Sequence, residues 1–398
     1  MLPFFALLLP ILLLFCGLSV DVGMLELTGL QMQSAADAAA VSAELEAERN
    51  TGNWVSIAQQ EAAAHGFTNG SNNVTVSVSQ LPSSGPYANR YDALQATISQ
   101  QVKTYFMGSI NGGYVTVSAQ GVALITPCVF LTGTGTLQQY TLDGVTGDFK
   151  GATCPFDINT NVETTNLNLV PEALNVAGSS SASSIAGYEY PSPNYNAPAV
   201  TDPLSYLTAP TFSGTCNHTS YSLYNATGTT TLSPGTYCKG LNITNSSATL
   251  SPGLYVITGG GTWYNSTVTG SGVTLYFTSG GGATDGKFIL SQSTVTLSAP
   301  TTASNGTLAG ILIFTDRNWT HTNPQDVDVS QTTFTGDGIW YLPSTGLWVY
   351  NSSTMRGTNY FGLVADNLTA SGTSIQMLNN YSSLPGGNPL RRQSPIVQ

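Results

Sequence analysis

The sequence predicts a mainly β protein led by one long helix, and three observations carry that prediction. Residues Met1 to Val20 are apolar or small without a break. From Asn73 the apolar spacing drops from three or four residues to two. Beyond Cys128, short β-prone runs separated by Gly, Pro, Asn and Ser continue to about Leu384. The expected fold is an N-terminal transmembrane helix, a small α/β segment, and then a right-handed parallel β-helix, with a β-sandwich as the alternative.

The first element is read from residues 1–50. At about 1.5 Å per residue, the run 1–20 just crosses a bilayer core of roughly 30 Å. Leu27, Leu30, Ser34, Ala38, Val41 and Leu45 then follow at three- and four-residue spacing, so the helix is expected to continue past the membrane surface. A cleaved signal peptide fits less well, because no basic stretch precedes the run and it exceeds the usual apolar core of about 7–15 residues. Asp37 stands among the alanines of Ala35 to Ala40. Small residues let another helix approach closely and a carboxylate can set its register. Ala36, Asp37, Ala39 and Ala40 are therefore expected to pack against a partner subunit or a second copy, a solvated Asp on a lone stalk being the plain alternative.

Gly17-Leu18-Ser19-Val20-Asp21-Val22-Gly23, then Leu30-Gln31, then Ala35-Ala36-Asp37-Ala38-Ala39-Ala40 resemble the N-terminal signature of the TadG-like proteins of the Flp (tight adherence) pilus-assembly group. The resemblance implies a single-pass inner-membrane protein, attached through residues 1–20, with the bulk of the chain extracytoplasmic and other pilus-assembly or envelope proteins as partners. Proteins of this type usually begin with a short basic stretch. Here no Lys or Arg occurs before Arg49, so the inner side offers no charge argument for orientation, and the true start is expected upstream of Met1.

Residues 51–127 form the α/β segment. Asn53 can cap a helix in which Trp54, Ile57, Ala58 and Ala62 share a face, ending at His65-Gly66. Three strands follow, around Val74 to Val78, Leu94 to Ile98 and Tyr114 to Ser118. Lys103-Thr104-Tyr105-Phe106 before the Asn111-Gly112-Gly113 turn is similar to the small extracytoplasmic part of the TadE/TadG group, with Tyr105 and Phe106 expected in the core.

Residues 128–385 carry the β-rich domain. Leu232-Ser233-Pro234-Gly235-Thr236-Tyr237 recurs as Leu250-Ser251-Pro252-Gly253-Leu254-Tyr255, and runs such as Val273 to Phe277, Gly310 to Phe314, Gly338 to Leu342 and Phe361 to Val364 follow at intervals of about one solenoid coil. Asn-Gly and Asp-Gly hairpin turns are sparse there, which disfavours the sandwich. The stretches Gly310 to Arg317, Gly338 to Pro343 and Phe361 to Asp366 also resemble the C-terminal region of many TadG-like proteins. A Pro- and Ser-rich surface excursion is expected at about 178–215, and a disordered tail at 386–398.

Composition narrows function. Only 8% of residues are charged and the net charge is −11, with a pI near 4.4, so nucleic acid is excluded as a partner on charge. Cys128, Cys154, Cys216 and Cys238 admit three connectivities, of which the two local bridges are the economical one, and their spacing matches no zinc pattern. Asp316-Arg317, with Asp337 and Asp366 near equivalent coil positions, is the most enzyme-like feature, but a structural pair or turn is the stronger reading. Asp326 and Asp328 lack the rest of a calcium loop and read as a solvated loop. His65, His218 and His321 suggest no triad. Trp263, Trp340 and Trp348 could line a carbohydrate- or protein-binding face. The numerous Asn-x-Ser/Thr sequons follow from composition and imply no glycan. No catalytic, cofactor-binding or metal residue is assigned. The chain is expected to be a non-enzymatic structural component, with an anchored adhesin or carbohydrate-binding protein as the alternative and a β-helix polysaccharide-acting enzyme third.

Overall fold

The computed structural model describes residues 2–49, 52–82, 85, 87–107, 113–133, 142–151, 154–164, 167–178, 193–283, 286–304, 308–319, 325–390 and 396–397, with backbone alone at 2–14, 142–147, 164, 167, 325 and 396–397. The chain divides into two compact units, Met1–Ile125 with Ser394–Gln398, and Thr126–Gln393.

In the first unit, helix α1 (Leu2–Glu48) and helix α2 (Trp54–Ala64) cover an antiparallel sheet of β1 (Val74–Gln80), β2 (Ala93–Lys103) and β3 (Tyr114–Leu124). α2 stops where Gly66 takes a φ of +95° that a side chain would resist. Alternation in β1 sends Val74 and Val76 inward and Thr75 and Ser77 out. The inner face of α1 is a line of small residues. Met32, Ala35, Ala36, Ala39, Ala40 and Ala43 are fully buried and share a core with Ala58 and Ala62 of α2 and with Leu94, Ala96, Ile98, Ala119 and Ala123 of the sheet. A Cβ built on Gly121 of β3 would lie 2.5 Å from the carbonyl oxygen of Ala36, so helix and strand backbones meet there directly.

That packing corrects the expectation for Ala36, Asp37, Ala39 and Ala40. The three alanines are fully buried and admit this chain's own β3 and α2. Asp37 is half-buried and accepts a hydrogen bond from Gln33 Nε2 (2.9 Å), whose amide also reaches the Gln120 carbonyl (2.8 Å). Tyr105 and Phe106, expected in the core, are 65% and 53% exposed. The strand Ile396–Val397 pairs antiparallel with β3 at Val122 and Ala123, where the sequence predicts a structureless tail, and Leu390 is fully buried in the second unit.

Among the described residues no helix is long and apolar enough to cross a membrane. The transmembrane helix of the expected fold is therefore not borne out among the described residues. From Gly17 to Ala43, α1 gives one face to its own unit, and it carries the carboxylates of Asp21 and Glu26.

The second unit is built from short strands in parallel rows, each strand pairing with one about three further along the chain. One row runs Gly253–Thr258, Val273–Thr278, Ile311–Thr315, Gly338–Leu342, Tyr360–Ala365, and then returns to Val129–Leu131, Phe156–Ile158 and Leu174–Val176. The earliest strands thus pair with the latest, Leu363 with Val129 and Ile375 with Phe149. Three long strands join the rows. Gly235–Thr244 and Leu142–Gly151 each pair with three different strands, and Leu368–Asn379 with four. An antiparallel contact of Tyr360 and Phe361 with Asn379 and Leu378 completes the circuit. The result is a closed, mixed β-barrel. This corrects both the right-handed parallel β-helix and the β-sandwich. Coils stacked strictly in chain order would leave the first and last strands at opposite ends, whereas here they are hydrogen-bonded neighbours.

Alternate residues fill the interior, among them Tyr237, Tyr255, Leu275, Trp263, Phe288, Trp340 and Phe361, each at most 1% exposed. Outside the row described above lies a second core. Val256, Tyr276, Phe314, Tyr341 and Val364 are covered there by Val200, Leu204, Leu207, Ala209 and Phe212 of the Pro-rich segment and by Tyr381, Leu384 and Leu390. The described part of the excursion is thus a strap with an apolar underside; residues 179–192 of the expected excursion lie outside the described residues.

Corners are marked by asparagines. Asn225, Asn245 and Asn265 have φ of 48°, 50° and 47°, a region Asn tolerates better than most residues, and their amides form a ladder at 2.9 Å per step. Disulfides Cys128–Cys154 and Cys216–Cys238, each with a Cα–Cα distance of 5.7 Å, brace the unit. Bridges of this kind typically contribute about 2–4 kcal/mol each.

Candidate functional site

The pair Asp316 and Arg317 is the strongest enzyme-like signal in the sequence, and the structure satisfies both side chains internally. Asp316 Oδ2 accepts from the hydroxyls of Tyr276 and Thr278 at 2.7 Å each, and Oδ1 accepts from the Asn318 N–H at 2.9 Å. Burial pushes this carboxyl up, but those hydrogen bonds and the Arg317 charge outweigh it and hold it below the usual range. Arg317 donates to Tyr341 Oη (2.9 Å) and to the carbonyls of Leu204 (2.9 Å) and Leu207 (3.1 Å), with its guanidinium 5.4 and 5.3 Å from the Phe314 and Tyr341 rings. Tyr341 in turn donates to Asp202 at 2.5 Å. The cluster fastens the strap to the barrel.

The other two carboxylates are engaged separately. Asp337 accepts from the backbone N–H groups of Thr358 and Asn359 and from Asn359 Nδ2, all at 2.7 Å. Asp366 is buried and accepts from Asn367 Nδ2 at 3.0 Å. Each of these carboxylates is engaged by groups close to it in its own turn.

Asp326 and Asp328 are buried on the strand Gln325–Ser330, which corrects the solvated-loop reading. Asp328 Oδ2 meets Lys287 Nζ at 3.4 Å, while Oδ1 is buried without a partner. Burial pushes its carboxyl above the usual value, and Lys287 offsets only part of that. Its folded pKa is thus above its unfolded one, so its contribution to stability is fully present below about pH 3.9 and is lost as pH rises through the folded value. Replacing it by Asn is expected to remove that loss. Urea midpoints measured across a pH series should show Asp328→Asn gaining on the wild-type chain as pH rises from about 4; parallel profiles would contradict the assignment.

Among the described residues no group of three or more His, Cys, Asp and Glu could hold a metal ion. His65 lies 3.5 Å from Glu61 at the end of α2, His218 stacks on Tyr237 with ring centroids 4.6 Å apart, and His321 lies outside the described residues. Trp263 and Trp340 are core residues, and Trp348 alone of the three faces outward, stacked on Tyr350 at 4.4 Å. A single outward tryptophan does not make the aromatic face that a carbohydrate platform would need. A groove of about 420 Å³ beside β1 and β2 is lined by Asn73, Thr75, Ser99, Gln100 and other neutral groups, with no acid or base to run a reaction.

The most specific constellation lies partway along α1, at Gly17 and Asp21. Asp21 is 1% exposed, and its two oxygens accept three successive backbone N–H groups from beyond β2: Tyr105 (3.0 Å), Phe106 (2.8 Å) and Met107 (2.7 Å). Burial alone would raise its pKa, yet the three N–H groups prevail and hold it below the ordinary value. One turn earlier, Gly17 leaves room for the Phe106 ring, which any Cβ there would strike. Sequence reasoning places Asp21 and Gly17 as motif letters without seeing their partners. A lone carboxylate after an apolar run is the available signal.

Residues 1–60 match the family described as Tad, putative Flp pilus-assembly TadE/G-like. Gly17, Asp21 and the alanine line of α1 all fall within the matched segment. No curated protein and no solved structure matches the chain. The Tad-type segment points to a pilus-assembly component, and with two disulfides it suggests an envelope or extracytoplasmic protein.

Proposed function

We propose that the chain is a non-enzymatic, extracytoplasmic structural component of a Flp/Tad-type pilus-assembly system, presenting its barrel outside the inner membrane. The observation that carries this reading is the family match over 1–60. The two disulfides fit an oxidising compartment. The internal saturation of Asp316, Arg317 and Asp337 favours scaffold over catalyst. Partners are other assembly or envelope proteins. The adhesin or carbohydrate-binding alternative is weakened by the burial of Trp263 and Trp340.

Photo-cross-linkers on the outward face of α1, at Leu27 (58% exposed) and Leu30 (72% exposed), test the partner. Adducts with pilus-assembly proteins in intact cells are expected. The absence of any protein adduct from both positions would sink the reading. Orientation has its own test: protease added to spheroplasts should digest the chain beyond residue 50, and protection until lysis would place the barrel on the wrong side.

A further inference from the structure

We infer that one outer row of the barrel is an ice-binding face, whose ligand is the ordered water of a crystal surface. The inference is independent of the pilus-assembly reading and goes beyond it. Along this row Thr-x-Thr stands at 229–231, 267–269, 294–296 and 333–335, with Ser247-Ala248-Thr249 between the first two. The five strands pair in parallel and in step, Thr229 with Ser247, Ser247 with Thr267, Thr267 with Thr294 and Thr294 with Thr333, without a bulge. The middle residues Ala248, Val268, Val295 and Phe334 are at most 1% exposed, and the residues on either side of them, exposed or half-buried, point outward. The outer surface is therefore two ranks of hydroxyls, about 4.8 Å apart from strand to strand and about 6.7 Å apart along a strand. Oxygens on the faces of ice repeat at similar intervals in both directions.

The array is held in register by its own hydrogen bonds. The hydroxyls of Thr249 and Thr269 share one at 3.1 Å. At the corner that precedes the ranks the Asn225, Asn245 and Asn265 amides are laddered, and the N–H groups of Ser266 and Ser293 donate to the hydroxyls of Ser293 (3.1 Å) and Thr332 (3.3 Å) one strand on. Threonine's preference for strands does not by itself produce the pattern. In the neighbouring row an outward column reads Thr262, Ile289, Asp328 and Trp348, and that row is bulged between Gln325 and Val327. The composition of the ranks selects the ligand. None of their outward positions carries a charge or an aromatic ring, and the second rank ends at Arg356, in register with Thr335. A glycan or a protein is bound by unlike groups set around an irregular outline, whereas one residue type repeated in two directions matches a ligand that itself repeats in two directions. Each threonine hydroxyl donates once and accepts twice, so it stands in for a lattice water. Each methyl orders the first-shell water beside it.

The test adds the purified full chain to a single ice crystal, with an inert protein at the same concentration as control. Faceted crystals, a gap between melting and freezing points, and enrichment of the fluorescently tagged chain in the growing ice are expected. Thr294→Lys, exposed at the centre of the array, should lose most of the gap and of the enrichment, and Thr296→Lys should do the same. Thr262→Lys, on the neighbouring row, should match the wild-type chain. Thermal midpoints and circular dichroism spectra equal to those of the wild-type chain separate loss of the face from loss of the fold. Thr294→Ser, which keeps the hydroxyl and removes the methyl, should show an intermediate loss and serves where a lysine variant does not fold. Rounded crystals without enrichment for the wild-type chain overturn the inference, and so does a full gap in folded Thr294→Lys, Thr296→Lys and Thr294→Ser. Loss of the gap in Thr262→Lys alone would move the face to the other row and overturn it as well. Rounded crystals together with retention on insoluble cell-wall glycan, abolished in Thr294→Lys, would give the face to a glycan instead.

Discussion

Placing valine at Gly121 is expected to destabilise the first unit by about 4 kcal/mol or more, among the largest effects a single substitution produces. Any Cβ at this position would lie 2.5 Å from the Ala36 oxygen, 2.6 Å from its carbonyl carbon and 2.7 Å from the Asp37 nitrogen, all of them helix backbone. No rotamer change relieves that overlap. α1 must lift off β3, and the fully buried Met32, Ala35, Ala36, Ala39, Ala40 and Ala43 lose contact with the sheet together. Gly29→Ala is the matched control. Its nearest neighbour is Val117 Cγ1 at 3.8 Å, ordinary contact, so the better helix former should stabilise by up to about 1 kcal/mol. Denaturation of the full chain followed by helix signal checks both. A Gly121→Val midpoint equal to wild type would mean that α1 does not lie on β3.

The inner face of α1 was legible because Ala35, Ala36, Ala39 and Ala40 announce a close approach through their size. What approaches was not, since β3 lies about eighty residues further on and nothing in a small-residue pattern distinguishes a strand of the same chain from a helix of another. Tyr105 and Phe106 show the same limit from the other side. Large aromatics are core residues by default, and only the position of the Asp21 carboxylate reveals that their backbone is held while their rings face outward.

In the barrel, the Ser-Pro-Gly repeat was visible and meaningful. Leu232 pairs with Leu250 as the repeat suggests, yet after the turn Gly235 pairs with Tyr255 instead of Gly253. A slip of two residues preserves which side chains face inward, so Tyr237 and Tyr255 both stay buried, with rings 5.9 Å apart. Local repetition thus identified strands and their inner faces. It could not identify closure, because the pairing of Val129 with Leu363 joins segments at nearly opposite ends of the unit, and neither carries a mark that matches the other. The two disulfides were legible as bonds between near neighbours in sequence, 26 and 22 residues apart.

Arg317→Met is expected to release the strap. Methionine keeps much of the length and packing of the arginine stem against Phe314 and Tyr341 but offers no donor, so the carbonyls of Leu204 and Leu207 and the hydroxyl oxygen of Tyr341 lose their hydrogen bonds at once. Each buried group left unsatisfied costs about 1–3 kcal/mol. Arg317 is only half-buried and water can replace part of what is lost, so a total near 3 kcal/mol is the reasonable scale. The loss is local. Barrel strands keep their backbone ladders, whereas the apolar underside of the strap, Leu204 above all, separates from Tyr276, Phe314 and Tyr341. Limited proteolysis should therefore cut within 193–214 in Arg317→Met faster than in the wild-type chain, before any cut in the strands around Ile311–Thr315. Arg317→Lys should fall between the two, since an ammonium restores charge but cannot reproduce a fork that reaches three acceptors. If Arg317→Met gives the wild-type cleavage pattern and midpoint, the strap is held by its apolar contacts alone, and the Asp202, Tyr341 and Arg317 chain has no part in fastening it.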